Sequence, residues 1–85
     1  MKKTDVTYGQ LDKVLRSLGF SCRQVDGDPP ARRYEHKRRG GFLSVPPMPD
    51  DEPVMEHHLV AARVMLDATG IADAKIFDAQ MQRAG

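Results

Sequence analysis

Tryptophan is missing from this chain, and the remaining rings are three Phe and two Tyr in 85 residues. Stacking on aromatic platforms is therefore a minor resource for whatever the protein binds. Cysteine occurs once, as Cys22, so no internal disulfide staples the fold and a reducing compartment fits the composition. No apolar run approaches the ~20 residues that cross a bilayer, which excludes a spanning helix. The opening MKKTDVTYGQ lacks the apolar core of a secretion signal, and the cytoplasm is the expected location. There is no internal repeat and no low-complexity segment. Nor is there a surplus of one charge: 13 Lys and Arg stand against 12 Asp and Glu, a formal net charge of +1. General basicity is excluded, and any strong positive potential has to be local.

What is present is an ordinary soluble composition, 40% hydrophobic and 29% charged. At this length the expectation is one domain, residues 1–85, with one small core that buries roughly 60 to 65% of the unfolded surface. The local charge is found between Ala31 and Val45, in ARRYEHKRRGGFLSV. Arg32, Arg33, Lys37, Arg38 and Arg39 fall within eight positions, interleaved with Tyr34 and His36. Such a concentration is the electrostatic footprint of a polyanion site, and RNA or another polyanion is the expected partner. The competing reading is a solvated hairpin whose charges protect a sheet edge. With Tyr34 and Phe42 as the available rings, recognition led by shape and phosphates is expected rather than base reading by stacking.

The pattern of elements is legible along the chain. Thr7 stands three residues before Gln10 and Val6 five before Leu11, a capping box combined with a hydrophobic staple. Leu11, Val14, Leu15 and Leu18 repeat at helical spacing until Gly19, which predicts a helix from Tyr8 to Leu18. Phe20 to Val25 reads as a strand closed by the turn formers Asp26-Gly27-Asp28-Pro29-Pro30. Ala31 to Arg38 and Phe42 to Val45 read as a hairpin around Arg39-Gly40-Gly41, ended by Pro46-Pro47. A second helix is expected with Asp51 as N-cap and Pro53 in its first turn. Met55, Leu59, Ala62 and Leu66 form its core stripe, with His58, Met65 and Thr69 beside it, up to Gly70. Val60 and Val64 lie off that stripe. They are expected to pack under a last short helix, about 73–83, capped by Asp73 and contributing Ile76, Phe77 and Met81; a partner surface is the alternative.

The predicted architecture is α+β, an α-β-β-β-α order in which a three-stranded antiparallel sheet packs on two helices, with a core at about 7–71 and a short C-terminal helix. Tyr34 and His36 share one sheet face, and Arg33, Glu35 and Lys37 the other. If the aromatic face is buried, the free face is basic; if not, the ligand surface is Tyr34, His36 and Arg38.

Several segments, taken in order, resemble the HicA family of small bacterial toxins. They are LDKVLRSLGF at Leu11 to Phe20, RYEH at Arg33 to His36, LSVP at Leu43 to Pro46 and RVMLDATGI at Arg63 to Ile71. The resemblance spans about Tyr8 to Phe77. It implies a double-stranded-RNA-binding-like fold, endoribonuclease activity of the mRNA interferase kind, and a small antitoxin-like protein as partner. The family's Gly-Ser-His motif, which carries its catalytic His, has no counterpart: Gly27 is followed by Asp28-Pro29-Pro30.

His36 is then the candidate for chemistry. A neutral imidazole among cations is suited to act as general base toward a 2′-hydroxyl. Against it stands a packing role beside Tyr34, since no second acid-base group is identifiable. A non-catalytic RNA- or protein-binding module is the alternative function. The candidate RNA-contacting residues are Arg32, Arg33, Tyr34, Lys37, Arg38 and Arg39. No metal or cofactor is expected. His57 and His58 are adjacent on a helix and point about 100° apart, with His58 expected at the core rim and His57 in solvent. For Asp50-Asp51-Glu52, helix-start electrostatics is explanation enough.

Overall fold

In the computed structural model, which describes residues 3–84, the chain runs β1 (Lys3–Thr7), α1 (Tyr8–Ser17), β2 (Ser21–Val25), β3 (Ala31–Glu35), β4 (Phe42–Val45), β5 (Pro53–Met55), α2 (Glu56–Ala68) and α3 (Ala74–Ala84). The predicted meander is present: β2, β3 and β4 form an antiparallel sheet in that order, with Cys22 opposite Tyr34 and Tyr34 opposite Leu43. The α+β class holds, with the expected C-terminal helix present as α3 and a second small sheet, β1 with β5, added to it.

Helix α1 starts where its capping signature puts it. The Gln10 N–H donates to Thr7 Oγ1 at 3.2 Å, and the Thr7 N–H donates to Gln10 Oε1 at 2.7 Å. Leu11, Val14 and Leu15 point into the core and Val6 packs against it. At the other end Gly19 takes φ +99°, a conformation that other residues adopt only with strain.

The second small sheet corrects the expected start of the second helix. Pro53–Met55 is not a first helical turn capped by Asp51; it is a strand paired antiparallel with β1. Val54 is fully buried, and Thr4 Oγ1 donates to the Val54 carbonyl at 3.0 Å. Met55 becomes the N-cap of α2 with no side-chain cap hydrogen bond. A partner strand at the head of the chain outweighs the local preference of Pro53 for a helix start, because pairing and burial are tertiary terms absent from local sequence.

The core lies between the inner face of the three-stranded sheet, which contributes Tyr34, Leu43 and Val45, and the helices, which contribute Leu11, Leu15, Leu66 and Phe77 among others. The last helix is part of this core, which therefore extends beyond residue 71: Phe77 is fully buried and Met81 is buried. Asp73 caps it as expected, its carboxylate accepting from the Ile76 N–H at 2.9 Å. Two expectations fail here. Ile76 is about half exposed, on the far side of the helix from the core. Val60 and Val64 are not covered by α3 but face outward.

Where α1 and β5 meet, the Met55 N–H donates to the Tyr8 hydroxyl at 3.4 Å, and that hydroxyl sits 2.8 Å from His58 Nδ1. The Tyr8 hydroxyl and His58 Nδ1 share one hydrogen bond, whose donor is set by the tautomer of the ring. Burial lowers the pKa of His58 below its usual value, and the neighbouring His57 adds to the effect. The folded state thus prefers the neutral ring, whereas the unfolded chain takes up a proton at about pH 6.5. Stability is full above that pH and declines as pH falls through the lowered folded value. A melting series between about pH 7 and pH 5 should show this decline, and the His58→Asn variant should show less of it.

Candidate functional site

The β3–β4 hairpin carries the candidate residues, and its loop is built around His36. Strand β3 ends at Glu35 rather than running to Arg38. His36 then bridges the loop: its N–H donates to the Gly41 carbonyl at 2.8 Å, and its own carbonyl accepts from the Gly40 N–H at 2.9 Å. The ring completes the closure. Nδ1 accepts from the Arg39 N–H at 3.2 Å, which leaves the proton on Nε2, donated to the Leu18 carbonyl at 3.1 Å. The ring also stands edge-on to Phe20, with centroids 5.1 Å apart. In this arrangement both nitrogens are engaged, so no lone pair is available to take a proton from a 2′-hydroxyl. The expected pairing of His36 with Tyr34 is replaced by contacts to the end of α1.

The close approach depends on Gly19, where a Cβ would stand 3.0 Å from His36 Nε2. On the opposite side of the loop Gly41 allows a similar approach: its Cβ would meet Met65 Sδ at 2.9 Å. The loop is thereby held between the C-terminal turns of α1 and α2. These turns present partly negative carbonyl ends, which favour cations. Helix α2 has no basic residue in its own last turn. Arg39 supplies that charge from the loop, with Nη1 3.6 Å from where a Gly70 Cβ would be.

Lys37, Arg38 and Arg39 are exposed, and no carboxylate among the described residues forms an ion pair with any of them. Beside them, between the loop and the end of α1, runs an open groove of about 440 Å³ lined by Ser17, Ser21, His36, Lys37 and Arg38 among others.

The other members of the predicted set are elsewhere. Tyr34 is buried, 1% exposed, and cannot stack on a base. Its hydroxyl donates to Asp12 Oδ1 at 2.7 Å, and Asp12 also takes the Arg16 Nε–H at 2.9 Å, so Tyr34 ties β3 to α1. Burial, and then the Asp12 carboxylate, raise its pKa, which keeps the hydroxyl a donor. Arg32 shares this inner side, beside the Tyr34 hydroxyl and 4.0 Å from Asp50.

The buried aromatic face leaves a free face that is only partly basic. Arg33 and Arg23 both lie 3.1 Å from Glu35 Oε1. The Arg33 contact is an ion pair that misses hydrogen-bond alignment, since neither Arg33 Nε nor Glu35 Oε1 has a hydrogen-bonded partner. Arg33 also covers the exposed Phe42 ring at 4.8 Å. Arg23, absent from the predicted set, belongs to this face because the register sets it opposite Arg33. The predicted cluster is therefore divided between the inner side, the outer face and the loop, and the loop alone keeps its cations unpaired.

Among the described residues no group of three His, Cys, Asp or Glu side chains is placed to hold a metal ion, and no helix is long and apolar enough to cross a membrane. His57 is exposed and His58 half-buried. Comparison of the chain with family models, with curated proteins and with solved structures finds no match.

Proposed function

We propose that this chain is an RNA-directed domain of HicA-like type that grips a phosphate backbone through Lys37, Arg38 and Arg39 without cutting it. The observation that carries the reading is the loop itself: three adjacent cations with no carboxylate partner, on a loop closed by five hydrogen-bonded or packed contacts of His36. A closed loop presents its charges without first having to be ordered, which lowers the cost of binding. Arg33 and Arg32 serve the sheet and its carboxylates first. Phe42, with Arg33 already on its ring, adds little base stacking, so contacts to backbone and shape dominate.

Two observations support a module that does not cut. The family's Gly-Ser-His motif is missing, and His36, the remaining candidate base, spends both nitrogens on the loop and on α1. A small antitoxin-like protein as partner is part of the same proposal and rests on the resemblance to the HicA family.

Titration of a fluorescent RNA duplex of about 20 base pairs tests the proposal. Three phosphate contacts give a slope of log K against log salt of about −2 to −3, and the duplex is recovered intact. An affinity independent of salt, or no binding at about 50 mM salt, overturns the phosphate grip. Cleavage that disappears in His36→Ala, with the fold retained, would replace the module by a ribonuclease.

A further inference from the structure

Helix α2 has an outward face that no described residue covers. Val64 is 63% exposed and Val60 45%, and Ala61 and Ala68 beside them are exposed as well. The face is ordered rather than random. His57, Val60, Val64 and Asp67 follow one another at spacings of three, four and three residues, the alternation that lines the seam between two paired helices. The two apolar positions are central and the two polar ones terminal.

We propose that this seam docks a second copy of the chain, α2 against α2 in antiparallel orientation about a two-fold axis level with Ala62. In that register Val60 meets Val64 of the other copy, and the same contact recurs by symmetry. His57 meets Asp67, so an imidazole N–H faces a carboxylate at each end of the seam. A parallel pairing would set Asp67 against Asp67 and His57 against His57. Two like charges in one layer oppose that arrangement, so the pattern selects orientation as well as partner. Arg63 does not intrude, because its guanidinium is held by Asp78 at 3.0 Å within the same copy. Alongside Val64 a groove of about 490 Å³, lined by Asp67 and Lys75 among others, offers room for the side chains of the second copy.

At 13 residues the helix is about 20 Å long, and two valine layers make a small interface. The dimer is accordingly weak, with a dissociation constant on the order of 10 to 100 μM. Sedimentation equilibrium of the intact chain from about 10 μM to about 1 mM should pass from monomer to dimer. Val64→Asp, at an exposed position, should leave the circular dichroism and melting curve in place and keep the protein monomeric throughout. His57→Asp alone sets carboxylate against carboxylate and should weaken the dimer about 10-fold or more. The double variant His57→Asp with Asp67→His restores the opposite pairing and should return to within about 3-fold of the parent. A monomer at about 1 mM overturns the proposal and leaves the face to a different protein. A dimer that survives Val64→Asp, or a double variant no better than His57→Asp, overturns it as well.

Discussion

Replacing Lys37, Arg38 and Arg39 together by serine should weaken binding to duplex RNA by about two orders of magnitude near 0.1 M salt. Each phosphate contact contributes about 0.7 to 0.9 of a decade at that concentration, and the slope of affinity against salt should flatten by about 2 to 3 in step. Stability should change little, since the three side chains are exposed and only Arg39 sits at a helix end, a contact worth about 0.5 kcal/mol. Arg33→Ser is the informative contrast. That guanidinium is shared between Glu35 and the Phe42 ring, so its loss should cost less than about 3-fold in affinity. Anisotropy titrations of the parent and both variants at two salt concentrations decide the matter. Unchanged binding by the triple variant, or an equal loss from Arg33→Ser, would place the RNA on the sheet face rather than on the loop.

Phe77→Ala should be the most destabilising single truncation outside the sheet. The ring is fully buried in the common core, and removing it costs about 3 to 5 kcal/mol in transfer and cavity terms. A domain of this length has a net stability of about 4 to 13 kcal/mol. The melting temperature should therefore fall by about 12 °C or more, and much of the protein is lost to unfolding at 37 °C if the parent lies at the low end. Ile76→Ala, one position earlier on the exposed side, should shift it by no more than a few degrees, about the scale of an ordinary surface change. Equal effects from the two would mean that the last helix does not dock through Phe77. Calorimetry of both variants distinguishes these outcomes.

The contrast between Phe77 and Ile76 also shows where sequence patterns stop being informative. Both were candidates for the core because a short helix with three apolar residues does not reveal which of them faces inward; the position of α1 and α2 decides it. The same holds for Val60 and Val64, whose spacing is as regular as that of the buried Leu59, Ala62 and Leu66. By contrast, the start of α1 is written in four residues, Val6, Thr7, Gln10 and Leu11, because a capping box is a local hydrogen-bond exchange that needs no distant partner. The meander was equally legible, since turn formers bound each strand. β1 was not: Lys3–Thr7 acquires its strand character from β5, about fifty residues away.

For the candidate site, the run of cations could be read directly, but not its division. Strand alternation separates Arg32 from Arg33, yet which of the two faces the core depends on the burial of Tyr34. The unpaired state of the loop cations depends on where Glu35, Asp50 and Asp12 end up. His36 looked like a base by its residue type and company. Its role as a bracket becomes visible only when Leu18 and Arg39 are brought to its two nitrogens.

Because the ends of the 36–41 loop are fastened by His36 and Gly41, the identities of residues 37, 38 and 39 are nearly free of folding duties. They form an interchangeable cassette on a fixed frame. Randomising those three positions while keeping the two fasteners would yield a library in which recognition is altered and the scaffold is not.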